Sequence, residues 1–212
     1  MSTVSLLGAL LAVSSCDFAE TAEESGAPIG TAERFLGLTH PGVREWEAVS
    51  IDASLVESGT LPARFSVEIG AQSTINGRSY TPVINHYLPV NNLPDTLYIR
   101  ADGDLAFVLL KPTHSGLPEA REFLLYAFGA QALSWELPLL HPPTQASYQL
   151  FNSFAPEGAV GPSDSLKWTT WSAGQPGRSH SVVYEAFELD VGRTSIVHVA
   201  QAWGRTEWRL KQ

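Results

Sequence analysis

From about residue 33 onward, apolar side chains recur close to every second position, the spacing of strands that bury one face. Ala63, Phe65, Val67 and Ile69 alternate with Arg64, Ser66 and Glu68. Asn76-Gly77 separates that run from a second, Tyr80 to Leu88, and an Asn-Gly pair readily takes the positive φ angles of a tight hairpin turn. Thr96 to Arg100, then Asp102-Gly103-Asp104, then Leu105 to Leu110 repeat the hairpin pattern. Further strands are predicted at Trp46 to Ile51, Phe123 to Phe128, Tyr148 to Phe154, Leu166 to Trp171, Ser181 to Leu189, Ser195 to Trp203 and Thr206 to Leu210. Helix is scarce: its candidate turns lie at Pro118 to Glu122 and Ala130 to Trp135, too short to stand alone. The proline-rich stretches Leu137 to Pro143 and Ala155 to Pro162 read as long loops, because proline has no N–H to give a ladder. Many short strands without long alternating helices predict an all-β fold with minor helix, an antiparallel β-sandwich or a partly closed β-barrel.

The first 32 residues break this pattern. Val4 to Val13 is an apolar run of ten residues. A membrane span needs about 20, so the run has instead the length of the apolar region of an export signal. Val13, Ser14, Ser15 and Cys16 follow: an aliphatic residue, two small ones and the chain's single cysteine. That order resembles the lipobox of bacterial lipoproteins, in which the thiol receives a diacylglycerol. The resemblance implies that residues 1–15 are removed and that Cys16 carries lipid. The departure is that no Lys or Arg precedes the apolar run. A buried core helix with a free thiol is the alternative. Between residues 17 and 32 there are four acidic residues and no basic ones, a composition that buries little and self-repels. Residues 16–32 are therefore expected to be the lipidated cysteine and an acidic tether, and residues 33–212 a single β-rich domain.

Taken in order, THPGVREWEAV (39–49), INGRSYTPVIN (75–85), LYIRADGDLAFVLL (97–110), EFLLYAFGAQALSW (122–135) and HVAQAWGRTEWRL (198–210) resemble a group of bacterial lipoproteins common in Bacteroidetes-like lineages. The order carries the likeness, since each piece alone is a strand-and-turn pattern. The sequence departs from the group at Ala127, where Asp is usual, and in lacking an Asp before Trp135. The resemblance implies a β-rich fold behind a lipid anchor in the cell envelope, facing the periplasm or the cell exterior. It transfers no catalytic residue.

Charge and side-chain chemistry narrow the function. The net charge of -9, with 13 basic residues scattered along the chain, disfavours nucleic acid as a partner. With one cysteine no intrachain disulfide forms, so stability rests on burial. His40, His86, His114, His141, His180 and His198 are isolated, and no pair has metal-ligand spacing, although His180 and His198 could meet across strands. Asp102 and Asp104 fit a hairpin turn better than a calcium loop, since the twelve-residue spacing is missing. The chain shows neither a nucleophile elbow nor a phosphate-cradling glycine loop, so no metal, cofactor or catalytic residue is nominated. Six tryptophans remain. Trp168, Trp171 and Trp203 are candidate ligand-binding residues, because indoles stack on sugars and anchor partners, and core or sheet-face packing is the competing account. Trp168 and Trp171 are three apart, so a strand points them to opposite faces and at least one is expected to be exposed. The expected function is that of a membrane-anchored, non-catalytic binding or envelope-structural domain whose partner is an envelope protein, a glycan or an apolar ligand. A lipocalin-like carrier and a hydrolase with a dispersed active site are the alternatives.

Overall fold

The computed structural model describes residues 30–50, 62–86, 95–112, 118–129, 133–141, 144–152, 155–173, 181–200 and 204–212. One short helix, α1 (Thr31–Leu36), precedes the strands β1 (Gly42–Ser50), β2 (Arg64–Ile69), β3 (Ser73–Ile75), β4 (Arg78–Ile84), β5 (Thr96–Asp102), β6 (Leu105–Leu110) and β7 (Arg121–Ala127). The second half of the chain supplies β8 (Leu133–His141), β9 (Thr144–Asn152), β10 (Leu166–Ala173), β11 (Ser181–Glu188), β12 (Gly192–Ala200) and β13 (Gly204–Leu210). They form one sheet in the order β7-β6-β5-β4-β2-β1-β13-β12-β11-β10-β9-β8, with β3 hairpinned onto β4. Each described pairing is antiparallel. The chain climbs round one half of the sheet from β1 to β7, then round the other from β8 to β13. There the last strand pairs with the first. The two ends of this path, β7 and β8, lie close together, so the sheet curls into a nearly closed barrel.

Alternation builds the wall. On β5, Leu97 and Ile99 are buried while Tyr98 and Arg100 are half-buried, and on β6, Ala106, Val108 and Leu110 are buried. The Asn76-Gly77 turn has the expected left-handed backbone, φ 51° and 76°, at both central residues. It joins β3 to β4, a short extra strand that the apolar spacing did not reveal.

Four expectations need correction. Leu137 to His141, in the stretch expected to be a loop up to Pro143, is strand: β8 runs through Pro138, which pairs with Ser147, while residues 142 and 143 lie outside the described set. As an end strand, β8 offers ladder bonds on one side only, which is where proline is tolerated. Pro118 to Glu122 forms no helical turn, because it bends into β7. Leu133 to Trp135 is strand, while residues 130–132 lie outside the described set. The helix that does form, α1, begins within the expected tether, where the sequence predicts no helix. Ala32, within the expected tether, is fully buried, so the packed domain already includes Thr31 and Ala32.

The helix crosses one end of the barrel between two hairpin turns. The Ala32 N–H donates to the carbonyl of Gly103 in the β5–β6 turn at 2.9 Å. Arg34 forks onto Asp190 beside the β11–β12 turn at 2.7 and 2.6 Å. Phe35 stacks on Phe128 with ring centroids 5.0 Å apart, and Gly37 ends the helix at φ 63°. The core therefore sits inside the barrel, where Trp46, Trp171 and Trp208 meet the ring cluster of Phe35, Tyr126, Phe128 and Phe187.

Candidate functional site

Inside that core lies a set of charged and polar side chains. Glu185, between the inward-facing Val183 and Phe187 on β11, has no exposed surface. Both of its oxygens are taken. Arg193 Nη1 donates to Oε1 at 2.7 Å, and the Tyr126 hydroxyl donates to Oε2 at 2.9 Å, as does the indole Nε1 of Trp171. Arg193, 6% exposed, also lies over the face of Trp46, its guanidinium carbon 5.0 Å from the ring centre.

Two bulges aim these partners. On β12 the register passes from Ser195 opposite Ala186 to Arg193 opposite Phe187, so Thr194 is an extra residue. Strict alternation from Ile196 would turn Arg193 outward, and the bulge turns it in. On β7, Leu125 is the extra residue between Leu124 and Tyr126, and it brings Tyr126 inward opposite Ala106.

His86, buried at 7% exposure, completes the group: its Nε2 is 3.1 Å from the Tyr126 oxygen and 3.4 Å from Arg193 Nη1. Tyr126 spends its one proton on Glu185, so its oxygen accepts and His86 Nε2 carries the donor hydrogen. The approach of Arg193 is then a contact between two donors. Burial first, and the Arg193 charge second, hold the His86 pKa well below its ordinary value, so the ring is neutral. Burial and the Glu185 carboxylate push the Tyr126 hydroxyl well above its usual range.

A second network lies on the outer face. Glu122 accepts from Arg100 at 2.6 Å, from the Tyr80 hydroxyl at 2.8 Å and from Arg78. The Arg100 bond, chiefly, holds the Glu122 carboxyl below its normal range. Beside it opens a polar groove of about 430 Å³ lined by Glu33, Gln72, Arg78, Arg100 and Asp102. A second hollow, about 500 Å³, lies over β10 to β13 under the 155–165 loop and mixes Val160, Leu166, Trp168 and Leu210 with Glu188 and Arg209.

Of the predicted binding tryptophans, Trp168 and Trp171 are not brought together. Trp168 and Trp171 do point to opposite faces, but the expectation that one is exposed is overturned: they are 5% and 0% exposed. Trp171 is spent on Glu185, and Trp168 is covered by the loop whose Val160 carbonyl accepts its Nε1 hydrogen at 3.0 Å. Trp203, Cys16, His114 and His180 lie outside the described residues. His198 is buried inside opposite Val183 and Thr206, and burial lowers its pKa. Among the described residues no group of three or more His, Cys, Asp or Glu side chains converges as a metal site would require, and no helix is long and apolar enough to cross a membrane. The sequence reading missed Glu185, Arg193, Tyr126, Glu122 and Arg100. A charged residue in phase with Val183 and Phe187 was the available signal for Glu185. Comparison with protein-family models, curated proteins and solved structures finds no match.

Proposed function

We propose that the chain is a lipoprotein of the bacterial envelope, tethered to a membrane through Cys16, whose barrel is a binding or envelope-structural module without chemistry of its own. Among the described residues the interior is filled, and that is the observation that supports a surface-binding role. Helix α1 and the aromatic cluster occupy the volume that a lipocalin-like carrier keeps for its ligand, and the cavity beside them measures about 30 Å³. Glu185, Tyr126 and His86, the set nearest to an acid–base constellation, are buried and engaged with one another or with Arg193. A hydrolase needs its carboxylate open to substrate. Contact with a partner then falls to the outer face, and the mixed apolar and charged hollow over β10 to β13 has the size and chemistry for it.

Metabolic labelling tests the anchor. The wild-type chain is expected to incorporate palmitate and the Cys16→Ala chain none; an unlabelled wild-type chain, or equal labelling of both, would overturn the anchor. For the binding half, soluble cell-wall glycan fragments are titrated against the full chain while tryptophan fluorescence is followed. Saturable quenching that Val160→Asp weakens supports the hollow, since Val160 is 76% exposed and dispensable to the core. Quenching that is absent, or indifferent to that substitution, removes glycan binding there.

A further inference from the structure

Where the interior meets the end of the barrel lies a second arrangement, of the half-buried Arg44 and the buried Trp46, that the Glu185 group does not explain. Strand β1 presents Arg44 and Trp46, two residues apart, to the same side. The Arg44 guanidinium sits in a slot between Gly37 and Gly192, both at positive φ (63° and 101°), and a Cβ on either glycine would strike it. In that slot Nη2 donates to the Gly37 carbonyl and Nη1 to the Val191 carbonyl, each at 3.0 Å. Among the described residues no carboxylate pairs with Arg44. Burial, and then the like charge of Arg193, pull its pKa down. Trp46 is 2% exposed, and its buried Nε1–H has no acceptor among the described residues.

Arg44, Trp46, Arg193 and His86 line one cavity of about 30 Å³, walled elsewhere by apolar side chains that include Leu38, Ile69 and Ile99. Glu185 does not line it, and His86 is neutral. A space this small holds one water or one small ion. Water would give the indole an acceptor but would leave the half-buried Arg44 guanidinium, which faces the like charge of Arg193, without a counter-charge. An anion answers both.

We propose that this cavity is a binding site for one monoatomic anion of chloride size, held by the Arg44 guanidinium and the Trp46 Nε1–H. The ion sits where the end of α1, through Gly37, and the β11–β12 turn, through Val191, are tied to β1. Its binding therefore stabilises the closed end of the barrel by mass action.

Thermal unfolding of the full chain, in sodium chloride against sodium gluconate at matched ionic strength, reads the site. The midpoint is expected to rise saturably with chloride and not with gluconate. Trp46→Phe keeps the ring and deletes the donor, and it is expected to weaken the chloride half-saturation about tenfold, the effect of one hydrogen bond to a charged acceptor. Arg44→Gln is expected to abolish the response. Crystals grown in bromide provide a reading that does not depend on variant stability: an anomalous peak between Arg44 and Trp46 is expected. Equal midpoints in chloride and gluconate, a chloride response untouched by Trp46→Phe, or density there without anomalous signal would each overturn the proposal.

Discussion

Glu185 is a carboxylate with no exposed surface whose two oxygens are shared among a guanidinium, a phenol and an indole. Taking such an ion from water costs several kcal/mol, which only a full set of charge-assisted bonds offsets. Removal of the charge alone is therefore more harmful than removal of the pair. Glu185→Gln, which removes the carboxylate charge beside the buried Arg193, is expected to lose about 3–5 kcal/mol in urea unfolding. The double variant Glu185→Leu/Arg193→Met is expected to lose less than the sum of its singles, with a coupling of at least about 1 kcal/mol. Additive losses would show that the two side chains do not act as a pair. His86 adds a pH dependence whose sign is fixed by its environment. Its folded pKa lies well below the unfolded value of about 6.5, so near pH 7.5 both states hold it neutral and it costs nothing. As the pH falls below about 6.5, the unfolded chain takes up a proton that the native ring refuses, and stability drops by up to about 1.4 kcal/mol per pH unit. The loss continues until the folded pKa is reached. His198, also lowered by burial, acts in the same direction. Unfolding free energies at pH 7.5 and 5.0 are expected to differ less in His86→Gln than in the wild type, and an unchanged difference would remove His86 as a source.

Among the elements, the bulge at Thr194 keeps Arg193 on the inner face by absorbing one extra residue. Deletion of Thr194 removes the bulge and leaves Arg193 two residues before Ile196, inward by plain alternation and still opposite Phe187, so the charged pair is expected to survive. The deletion is expected to cost less than Arg193→Gln, and Arg193→Gln is expected to cost as much in the deleted chain as in the wild type. A deletion as costly as Arg193→Gln, or one that makes that substitution harmless, would mean that the pair needs the bulged backbone itself. This element also marks the limit of what the sequence discloses. The apolar period exposed β2, β5 and β6 because their inward residues are hydrophobic without interruption, and Asn76-Gly77 announced its turn by a backbone preference. Glu185 was in phase with Val183 and Phe187 and so was readable. Arg193 and Tyr126 were not, since an inserted residue beside each takes it out of phase. Their meeting with His86 joins segments that only the closure of the barrel brings together. Helix α1 stayed hidden for another reason: Gly30 provides no side-chain cap, and its six residues are held by packing and by Gly103 and Asp190. Trp168 misled because its strand position was right and the covering loop, tied at Val160, is a tertiary fact.

At the scale of the whole molecule, the barrel depends on the pairing of its first and last strands. Strand β13 lies between β1 and β12, so its backbone satisfies a ladder on both sides. It also places the fully buried Trp208, whose Nε1 donates to the Pro62 carbonyl at 2.8 Å, and carries the chain to Lys211, whose N–H reaches the Glu45 carbonyl at 2.9 Å. Without β13 the circle opens beside the buried Trp46 and Trp208, while at the other break, between β7 and β8, no pairing closes the sheet among the described residues. Two bare edges, on β1 and β12, would then be joined to water across the exposed core. Hydrophobic stabilisation of a closed sheet is shared along the ring, so this opening is not a local loss. A chain ending at residue 203 is therefore expected to lack a cooperative near-ultraviolet circular dichroism transition, even though single strands elsewhere are intact. A synthetic peptide of residues 204–212 added in excess is expected to restore the transition, because an extended segment that completes two ladders binds by strand addition. If the shortened chain unfolds cooperatively near the full-length midpoint, the ring is held by its two arcs separately, and the pairing of the first and last strands is not what closes it.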